Sequence, residues 1–419
     1  MRLSSVPRFT LALLAATSLV AAPMSDAWAQ ARAAGLRPDP ATDEGGLWSA
    51  SDKAEADART KAELNSDPAL TAYVRGVACK VAVEYCGDIR VYVMDRPFFN
   101  AQMAPNGYME VWSGLLLRTT DEAELAFVLG HETSHYVNHH SLNAWRAAKA
   151  RTNAAMALSV IVTAAGAVAG AGASTASAAQ TISSSVNALV DVIYLAAIAS
   201  LFSFSRDQEL EADRLGFERA VALGYDPAAG ATMWRSLQAE TVASDFPKVR
   251  TEVTRASIFA THPVSADRVE ALEAMAKGRP AGTADPGRAR YRAAIRPFLP
   301  TWLKDELRRR DYGQTLHLID RLAADGEDLG VLDFYKGEGY RRRRGDGDAA
   351  LALEAYLASA KSPDAPVAVW RELGDLQLKA GQTAAAKASY ETYLAKAPTA
   401  QDRWIVEGNL KKLIGTSGT

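Results

Sequence analysis

Apolar residues recur at helical spacing over most of this chain, whereas β-branched and aromatic residues concentrate in two short segments. The helical pattern predicts helices over residues 52 to about 83, 119–140, 206 to about 223 and 266–277. Two strands are predicted, over 89–94 and over 107–112, and the second follows a Pro-Asn-Gly turn signal. We therefore expect an α+β fold that is mainly helical and contains a small sheet.

The helix predicted over 119–140 carries its own start signals. Thr119 and Glu122 have the spacing of a capping box, and Asp121 and Glu122 place negative charge at the positive end of the helix dipole. The segment in its first half (AELAFVLG) is strongly apolar. Because such a segment is stable only when it is packed against other elements, we expect this helix to be buried and rigid.

The first 29 residues have the composition of an export signal. Arg2 and Arg8 form a basic start, residues 9–22 are apolar, and Ala27-Trp28-Ala29 offers a cleavage site before Gln30. The apolar run is short for a membrane span, so we expect residues 1–29 to be a cleaved signal peptide; a retained membrane anchor is the alternative. Residues 30–55 are rich in Ala, Pro, Asp and Gly, and they are expected to form a loose linker.

Two further apolar stretches, over 154–173 and 186–204, are joined by a turn rich in Ser, Ala and Thr. They predict a helical hairpin at about 150–204. The first stretch consists mostly of small residues and the second contains Asp191, so neither has the character of a membrane span. We expect the hairpin to be covered by protein, and peripheral contact with a membrane surface is the alternative.

The C-terminal part of the chain carries a repeat. Residues with the spacing of a tetratricopeptide repeat are Trp370, Leu373, Gly374, Gly381, Ala386, Tyr390 and Pro398. Ala352 and Tyr356 occupy the positions of Ala386 and Tyr390 one repeat earlier, and residues 302–322 resemble a degenerate unit. We therefore expect a domain over 56–279, a linker at 280–289, and an all-α tetratricopeptide-repeat solenoid over 290–419. A generic helical bundle is the alternative.

Composition narrows the class of protein. The chain has 419 residues, enough for two or three domains, and a formal net charge of -2, which gives no reason to expect nucleic acid as a partner. Its two cysteines, Cys79 and Cys86, follow the export signal and would lie in an oxidising compartment. We expect them to form a disulfide across a short loop; two buried free thiols are the alternative.

Four of the six histidines lie within residues 131–140, and two of them belong to the motif His131-Glu132-Thr133-Ser134-His135. Residues four apart on a helix share one face and lie ~6 Å apart along the axis, so both imidazoles can bind one Zn²⁺. Glu132 would then lie beside the ion and accept a proton from water. A solvated helix with two unrelated histidines is the alternative, and the apolar context of the motif argues against it.

Among the acidic residues of the helix predicted over 206–223, the candidates for the site are Glu209, Glu211 and Asp213. Glu209 and Asp213 share a helix face because they are four residues apart. Glu209 can complete a two-histidine, one-glutamate ligand set that leaves a fourth position for water, and Asp213 can accept a hydrogen bond from a ligand histidine. Glu211 is expected to point away, towards the surface. A charged helix face without a metal is the alternative.

His139 and His140 extend the histidine cluster. His139 lies ~12 Å along the helix axis from the first histidine of the motif, too far for both to bind one ion from a straight helix. We expect His139 and His140 either to support the ligands from behind or to lie at the surface.

Four sequence blocks resemble the peptidase family of HtpX and the CAAX prenyl endopeptidases. The blocks are NAQMAPNGYMEVWSGLL, HETSH, SRDQELEAD and THPVSADRVEAL, and they occur in the order of that family. The resemblance implies a gluzincin-type α+β domain that binds one zinc ion, with Glu209 rather than Glu211 as the third ligand and Asp213 as its supporting residue. It also implies that His262, six residues before Arg268, faces the zinc. There His262 either stabilises the oxyanion or binds zinc at rest.

The sequence thus predicts a zinc-dependent endopeptidase. Substrate is expected to be extended and to pair with the strand that contains Tyr108, Met109, Glu110, Val111 and Trp112, provided that this strand lies at a sheet edge. The competing class is a chaperone or assembly factor that acts mainly through its repeats. The resemblance suggests the periplasm as location, unfolded or misassembled outer-membrane proteins as substrates, and the outer-membrane assembly machinery as partner of the repeats.

Overall fold

The computed structural model describes residues 31–151, 204–251, 262 and 265–416. The predicted signal peptide and the predicted hairpin at about 150–204, apart from its two ends, lie outside the described residues. Within the described part the helices are α1 (Asp43–Ala58), α2 (Pro68–Val81), α3 (Ser113–Arg118), α4 (Glu122–Val137), α5 (140–151), α6 (Arg206–Ala222), α7 (Ala229–Val242), α8 (Pro247–Thr251), α9 (Ala266–Ala276), α10 (Arg288–Ile295), α11 (Leu299–Arg308), α12 (Tyr312–Ala323), α13 (Leu329–Arg343), α14 (Asp348–Ser359), α15 (Ala368–Lys379), α16 (Thr383–Lys396) and α17 (Arg403–Thr416). The strands are β1 (Arg90–Met94), β2 (Ala101–Met103) and β3 (Tyr108–Trp112).

The predicted fold class, mainly helical with a small sheet, is confirmed. None of the described helices combines the length and the apolar character that crossing a bilayer requires. Short 3₁₀ turns over Val83–Tyr85 and Arg296–Phe298 complete the regular structure of the described residues.

The three strands form one sheet in the order β1-β3-β2. β1 runs parallel to β3, with Val91 opposite Met109, and β2 runs antiparallel to it, with Gln102 opposite Glu110. Strand β3 therefore lies in the middle, so the condition under which Tyr108–Trp112 were predicted to pair with substrate, a free sheet edge, is not met. The sequence pattern passes over the three-residue strand β2, which a tight turn at Gly107 (φ 87°) folds back onto β3.

Helix α1 occupies much of the segment that the sequence predicts to be a loose linker. Thr42 caps it by accepting a hydrogen bond from the backbone N–H of Gly45 (3.1 Å). Its buried Glu55 accepts two hydrogen bonds from Arg90 (2.6 and 2.8 Å) and one from Tyr92 (2.8 Å), both on β1. Although burial raises it, these hydrogen bonds lower the pKa of Glu55 to about 2. The linker prediction is therefore wrong from residue 43 onwards.

One hydrophobic core includes the sheet, α2, α4, α6, α7 and the helices on both sides of the linker predicted at 280–289. Tyr291, Leu299, Trp302 and Leu318 follow that linker and are buried in this core. Arg118 at the end of α3 is completely buried and pairs with Glu240 on α7 (2.6 Å) and Glu306 on α11 (2.7 Å). Helices α10–α12 consequently belong to the same packed body as the elements before residue 280.

The last five helices pack against one another through two smaller clusters centred on tyrosines. A Cβ on Gly337 would lie 2.4 Å from the Tyr356 ring, and one on Gly374 would lie 2.4 Å from the Tyr390 ring. Glycine therefore lets α13 approach α14 and lets α15 approach α16 in the same manner. The turn after α13 is the longer of the two and contains Arg344 in the left-handed conformation (φ 58°).

Cys79 on α2 and Cys86 form a disulfide across the short 3₁₀ turn between them. Replacing both cysteines by serine is expected to lower the free energy of unfolding by about 2–3 kcal/mol, because the closed loop restricts the unfolded chain. Urea denaturation of the double variant beside wild type measures this difference. The native protein should yield no reactive thiol until a reductant is added; two reactive thiols without reductant would contradict the expectation.

Candidate metal centre and active site

The start of α4 is fixed two residues later than the sequence predicts. Asp121, not Thr119, caps the helix by accepting a hydrogen bond from the N–H of Glu124 (2.9 Å), and Thr119 instead contacts the Tyr291 hydroxyl. The buried carboxylate of Glu122 accepts hydrogen bonds from Lys80 (2.5 Å) and other side chains. The helix that carries the histidine motif is thus anchored at its first turn and buried along its whole length.

Helices α4 and α6 cross in direct backbone contact at Gly130 and Gly216. A Cβ on Gly216 would lie 2.8 Å from the backbone nitrogen of His131, and one on Gly130 would lie 3.1 Å from the Cα of Gly216. Any larger side chain at this crossing would push the helices apart. The two glycines therefore bring the acidic residues of α6 within reach of the histidines of α4.

The three side chains predicted as metal ligands meet at this crossing. The Nε2 atoms of His131 and His135 are 3.1 Å apart. The Glu209 carboxylate lies 3.5 Å from Nε2 of His131 and 3.8 Å from Nε2 of His135. All three side chains are at most 3% exposed. The structure therefore places the predicted ligands around one buried point.

The spacing of these atoms fits a zinc ion. Ligand atoms ~2.1 Å from a tetrahedral zinc lie ~3.4 Å from one another. The three observed separations, 3.1, 3.5 and 3.8 Å, bracket that value. Two imidazoles and one carboxylate are also the donor types that zinc prefers in sites with an open coordination position.

Asp213 lies behind His131. Its Oδ1 is 2.9 Å from Nδ1 of His131, so it accepts a hydrogen bond from the Nδ1 proton and leaves the Nε2 lone pair facing His135 and Glu209. Although burial lowers it, hydrogen bonds to Asp213 and Glu209 raise the pKa of His131 to about 9. A metal and a proton would consequently compete for this nitrogen.

Arg268 on α9 completes the network, although no role for its side chain was predicted from the sequence. Its guanidinium donates to both oxygens of Asp213 (2.6 and 2.7 Å) and lies 2.8 Å from Oε2 of Glu209. It also lies 4.9 Å from the centre of the Trp234 ring and is almost completely buried. Arg268 thus fixes the carboxylate that orients His131 and the carboxylate expected to bind the metal.

His262 reaches the same point from outside α4 and α6. Its Nδ1 lies 3.0 Å from the Glu209 carboxylate and 3.3 Å from Nε2 of His131. One ligand atom from each of His131, His135, Glu209 and His262 can be chosen so that all four lie within 4.8 Å of one another. His262 is therefore close enough to be a fourth ligand.

Glu132 lies beside this group and has no direct contact with the ligand carboxylate among the hydrogen bonds of the described residues. Its Oε1 lies 3.5 Å from Nε2 of His262. Burial raises the pKa of Glu132, and the nearby histidines oppose that shift. A buried carboxylate with a raised pKa is a stronger base than an exposed one, which suits it to accept a proton.

His139 turns away from the ligands. It adopts the left-handed conformation (φ 53°) and its Nδ1 lies 3.2 Å from a guanidinium nitrogen of Arg32. Arg32 also lies 2.6 Å from Glu44 on α1. Of the two alternatives for His139, the structure favours a place at the end of α4, partly exposed and remote from the metal-facing nitrogens.

Comparisons with known proteins agree with this geometry. The model of peptidase family M48 matches residues 65–276. The mitochondrial metalloendopeptidase OMA1 of Bos taurus is 29% identical over 183 residues, which are 44% of this chain and 31% of that protein. OMA1 of Danio rerio is 30% identical over 186 residues, 44% of this chain and 34% of that protein.

A bacterial relative matches more of the chain. The β-barrel assembly-enhancing protease of Escherichia coli (strain K12) is 25% identical over 286 residues, which are 62% of this chain and 54% of that protein. This chain therefore spans between about a third and about half of the length of these curated relatives. The resemblance that the sequence blocks indicate is confirmed at the level of the family.

Proposed function

Because this chain belongs to peptidase family M48, we propose that it is a zinc-dependent endopeptidase that holds one zinc ion through His131, His135 and Glu209. The observation that carries the proposal is the convergence of these three side chains at a buried contact between two helices, where each imidazole Nε2 lies within 3.8 Å of a Glu209 oxygen and the two Nε2 atoms are 3.1 Å apart. Glu132 lies directly beside them on α4. This combination fits hydrolysis better than a purely structural metal site, which needs no such carboxylate.

Zinc held there would act as a Lewis acid that polarises the substrate carbonyl and makes water more acidic. The Glu132 carboxylate accepts the proton of the attacking water and delivers it to the leaving amine. Asp213 keeps His131 in the tautomer whose Nε2 lone pair faces the site. Arg268 neutralises the charge of Asp213 and limits its movement.

For His262, two roles were open: stabilising the oxyanion or binding zinc at rest. Its Nδ1 lies within 3.3 Å of two of the proposed ligand atoms, which supports the second role. In that role His262 would be a fourth ligand of the zinc ion when no substrate is bound. The two roles are compatible, because a hydrogen-bond donor this close to the ligands would be placed to stabilise the oxyanion once substrate is bound.

The substrate chain is proposed to pair with β2 instead of β3. Strand β2 has β3 on one side and no strand on its other side among the described residues, and it packs against α4. An extended peptide added to this edge would form main-chain hydrogen bonds, which give affinity with little sequence preference. Gln102, the central residue of β2, is partly exposed beside this edge.

We further propose that α13–α17 are tetratricopeptide-like repeats and that the protein acts in the periplasm on unfolded or misassembled β-barrel proteins of the outer membrane. Support comes from the repeated glycine–tyrosine contacts and from the name of the Escherichia coli relative. The repeats would bind substrate or the outer-membrane assembly machinery. The alternative, a chaperone or assembly factor acting mainly through these helices, requires that the Glu132→Gln variant equal wild type in every assay.

Metal analysis of the purified chain from residue 30 tests the central proposal. We expect about one zinc per chain, loss of casein cleavage after chelation, and recovery on adding Zn²⁺. The His135→Ala variant should bind little zinc, whereas His317→Ala, a change on α12 outside the site, should bind as much as wild type. Full cleavage by metal-free protein would refute the zinc mechanism.

A further inference from the structure

His140 lies against the ring of His135, although it is the first residue of the next helix. Helix α4 ends at Val137, and His139 adopts the left-handed conformation (φ 53°) in the short turn before α5 begins. Across this turn, Nδ1 of His140 lies 2.8 Å from Nδ1 of His135. His140 is 3% exposed, so this contact is shielded from water.

The partner of the second ring nitrogen decides the direction of this hydrogen bond. Nε2 of His140 lies 3.2 Å from the Glu211 carboxylate, which can only accept a hydrogen bond. His140 therefore carries a proton on Nε2, and its neutral ring presents a lone pair at Nδ1. His135 then donates its Nδ1 proton to His140, which leaves the Nε2 lone pair of His135 facing His131 and Glu209.

A second contact of the His135 ring, with Phe204, does not select which ring nitrogen carries the proton. The Phe204 ring stacks on the His135 ring, with centroids 3.8 Å apart and planes inclined by 17°. This contact fixes the plane of the imidazole but does not distinguish its two nitrogens. Among the described neighbours of His135, His140 is the group that selects which nitrogen carries the proton.

We propose that His140 and Glu211 are positioning residues that hold His135 in the orientation and tautomer required for zinc. The inference rests on the proposed zinc site. It assigns a carboxylate to each zinc histidine: Asp213 acts on His131 directly, and Glu211 acts on His135 through His140. Helix α6 would thus supply one zinc ligand and both outer carboxylates. Glu211, expected from the sequence to point away, is 37% exposed and still reaches His140.

Two replacements of His140 distinguish the effect of its hydrogen bond on zinc binding from the effect of its ring shape. His140→Phe keeps an aromatic ring but removes the acceptor, whereas the amide oxygen of His140→Asn can accept the His135 proton near the former position of Nδ1. We expect His140→Phe to raise the zinc dissociation constant about 10- to 100-fold, and His140→Asn to restore most of the affinity. Competition with a chelating indicator measures the constant, and the visible spectrum of the Co²⁺ form reports the ligand geometry.

The controls distinguish this inference from the zinc site itself. His317→Phe on α12 should leave zinc affinity unchanged, and Glu211→Ala should weaken it less than about tenfold. Equal affinity in wild type, His140→Phe and Glu211→Ala would overturn the positioning role and leave the zinc site intact. A wild-type protein that binds no zinc would overturn both proposals. If His140→Phe unfolds at a lower temperature than wild type in the absence of metal, Glu211→Ala decides the matter. A measurable loss of zinc affinity in Glu211→Ala then supports the positioning role, and unchanged affinity overturns it. His140→Asn should in that case bind zinc less than about tenfold more weakly than wild type.

Discussion

The Glu132→Gln variant is expected to bind zinc like wild type and to hydrolyse protein substrates about 100- to 10,000-fold more slowly. Glutamine has nearly the shape of glutamate but cannot accept a proton at neutral pH, so the variant loses the base and little else. The effect should be large because Glu132 is buried, which raises its pKa and excludes bulk water as a substitute. Casein cleavage and zinc content, measured on the same preparation, give both quantities.

A matched control is available on the neighbouring helix. Glu218 on α6 is exposed and pairs with Arg214, so Glu218→Gln makes the same chemical change away from the metal. It should cleave casein at the wild-type rate. If Glu132→Gln also kept most of its activity, the assignment of Glu132 as the base would have to be withdrawn even with zinc present.

Arg268→Met should lower the free energy of unfolding of the zinc-free protein by about 3–5 kcal/mol, because it leaves buried carboxylates without their counter-charge. Asp213 would lose two hydrogen bonds and Glu209 its nearest guanidinium. Although burial acts in the opposite direction, Arg268 is a main reason why the pKa of Asp213 lies below its ordinary value. A lowered folded-state pKa stabilises the protein above the unfolded-state pKa of ~4, and this contribution disappears as pH falls through the folded-state value.

The difference between wild type and Arg268→Met should therefore be largest near neutral pH and shrink below about pH 4. Urea denaturation followed by circular dichroism, repeated at several pH values, measures it. Arg235→Met is the matched control, since Arg235 is 62% exposed and pairs with Glu273 at the surface. That change should cost less than about 1 kcal/mol. Similar losses for both variants would contradict the structural role of Arg268.

Local sequence patterns were sufficient to predict those parts of the site that lie on a single helix. The four-residue spacing between His131 and His135, and between Glu209 and Asp213, fixes which side chains share a face. That α4 and α6 cross closely enough for these faces to meet depends on Gly130 and Gly216. Single glycines within helical patterns carry no sign of the partner they approach, so only the family resemblance connected the two motifs.

Arg268 shows what local patterns miss, and His140 shows which alternatives they leave open. Arg268 lies on α9, which the sequence predicts as a helix, but nothing in that pattern relates its side chain to Asp213. His140 reaches His135 only because His139 adopts a conformation that is unfavourable for most residues. In a straight helix through residue 140, the five-residue spacing would place His140 about 140° around the axis from His135.

The predictions of the sheet edge and of the linker were wrong for a related reason. Strand β2 has three residues, too few for an alternating pattern to be recognised, yet its presence moves β3 from the edge to the middle. The segment after residue 30 looked like a linker by composition, although Thr42, Asp43 and Glu44 give α1 a well-formed start. Composition alone does not show that this segment forms a helix, because the helix is stabilised by the contacts of Glu55 with β1.

The burial of Arg118 between Glu240 and Glu306 has a consequence for how a long substrate would be handled. Helices α3, α7 and α11 are joined there by buried ion pairs, so α11 is held in place beside the core that also contains α4. If the helices that follow α11 bind a polypeptide, as proposed, its bound part would lie at a roughly constant distance from the metal centre. The scissile bond would then be selected by its distance along the substrate chain from the bound part, more than by the identity of the residues around it.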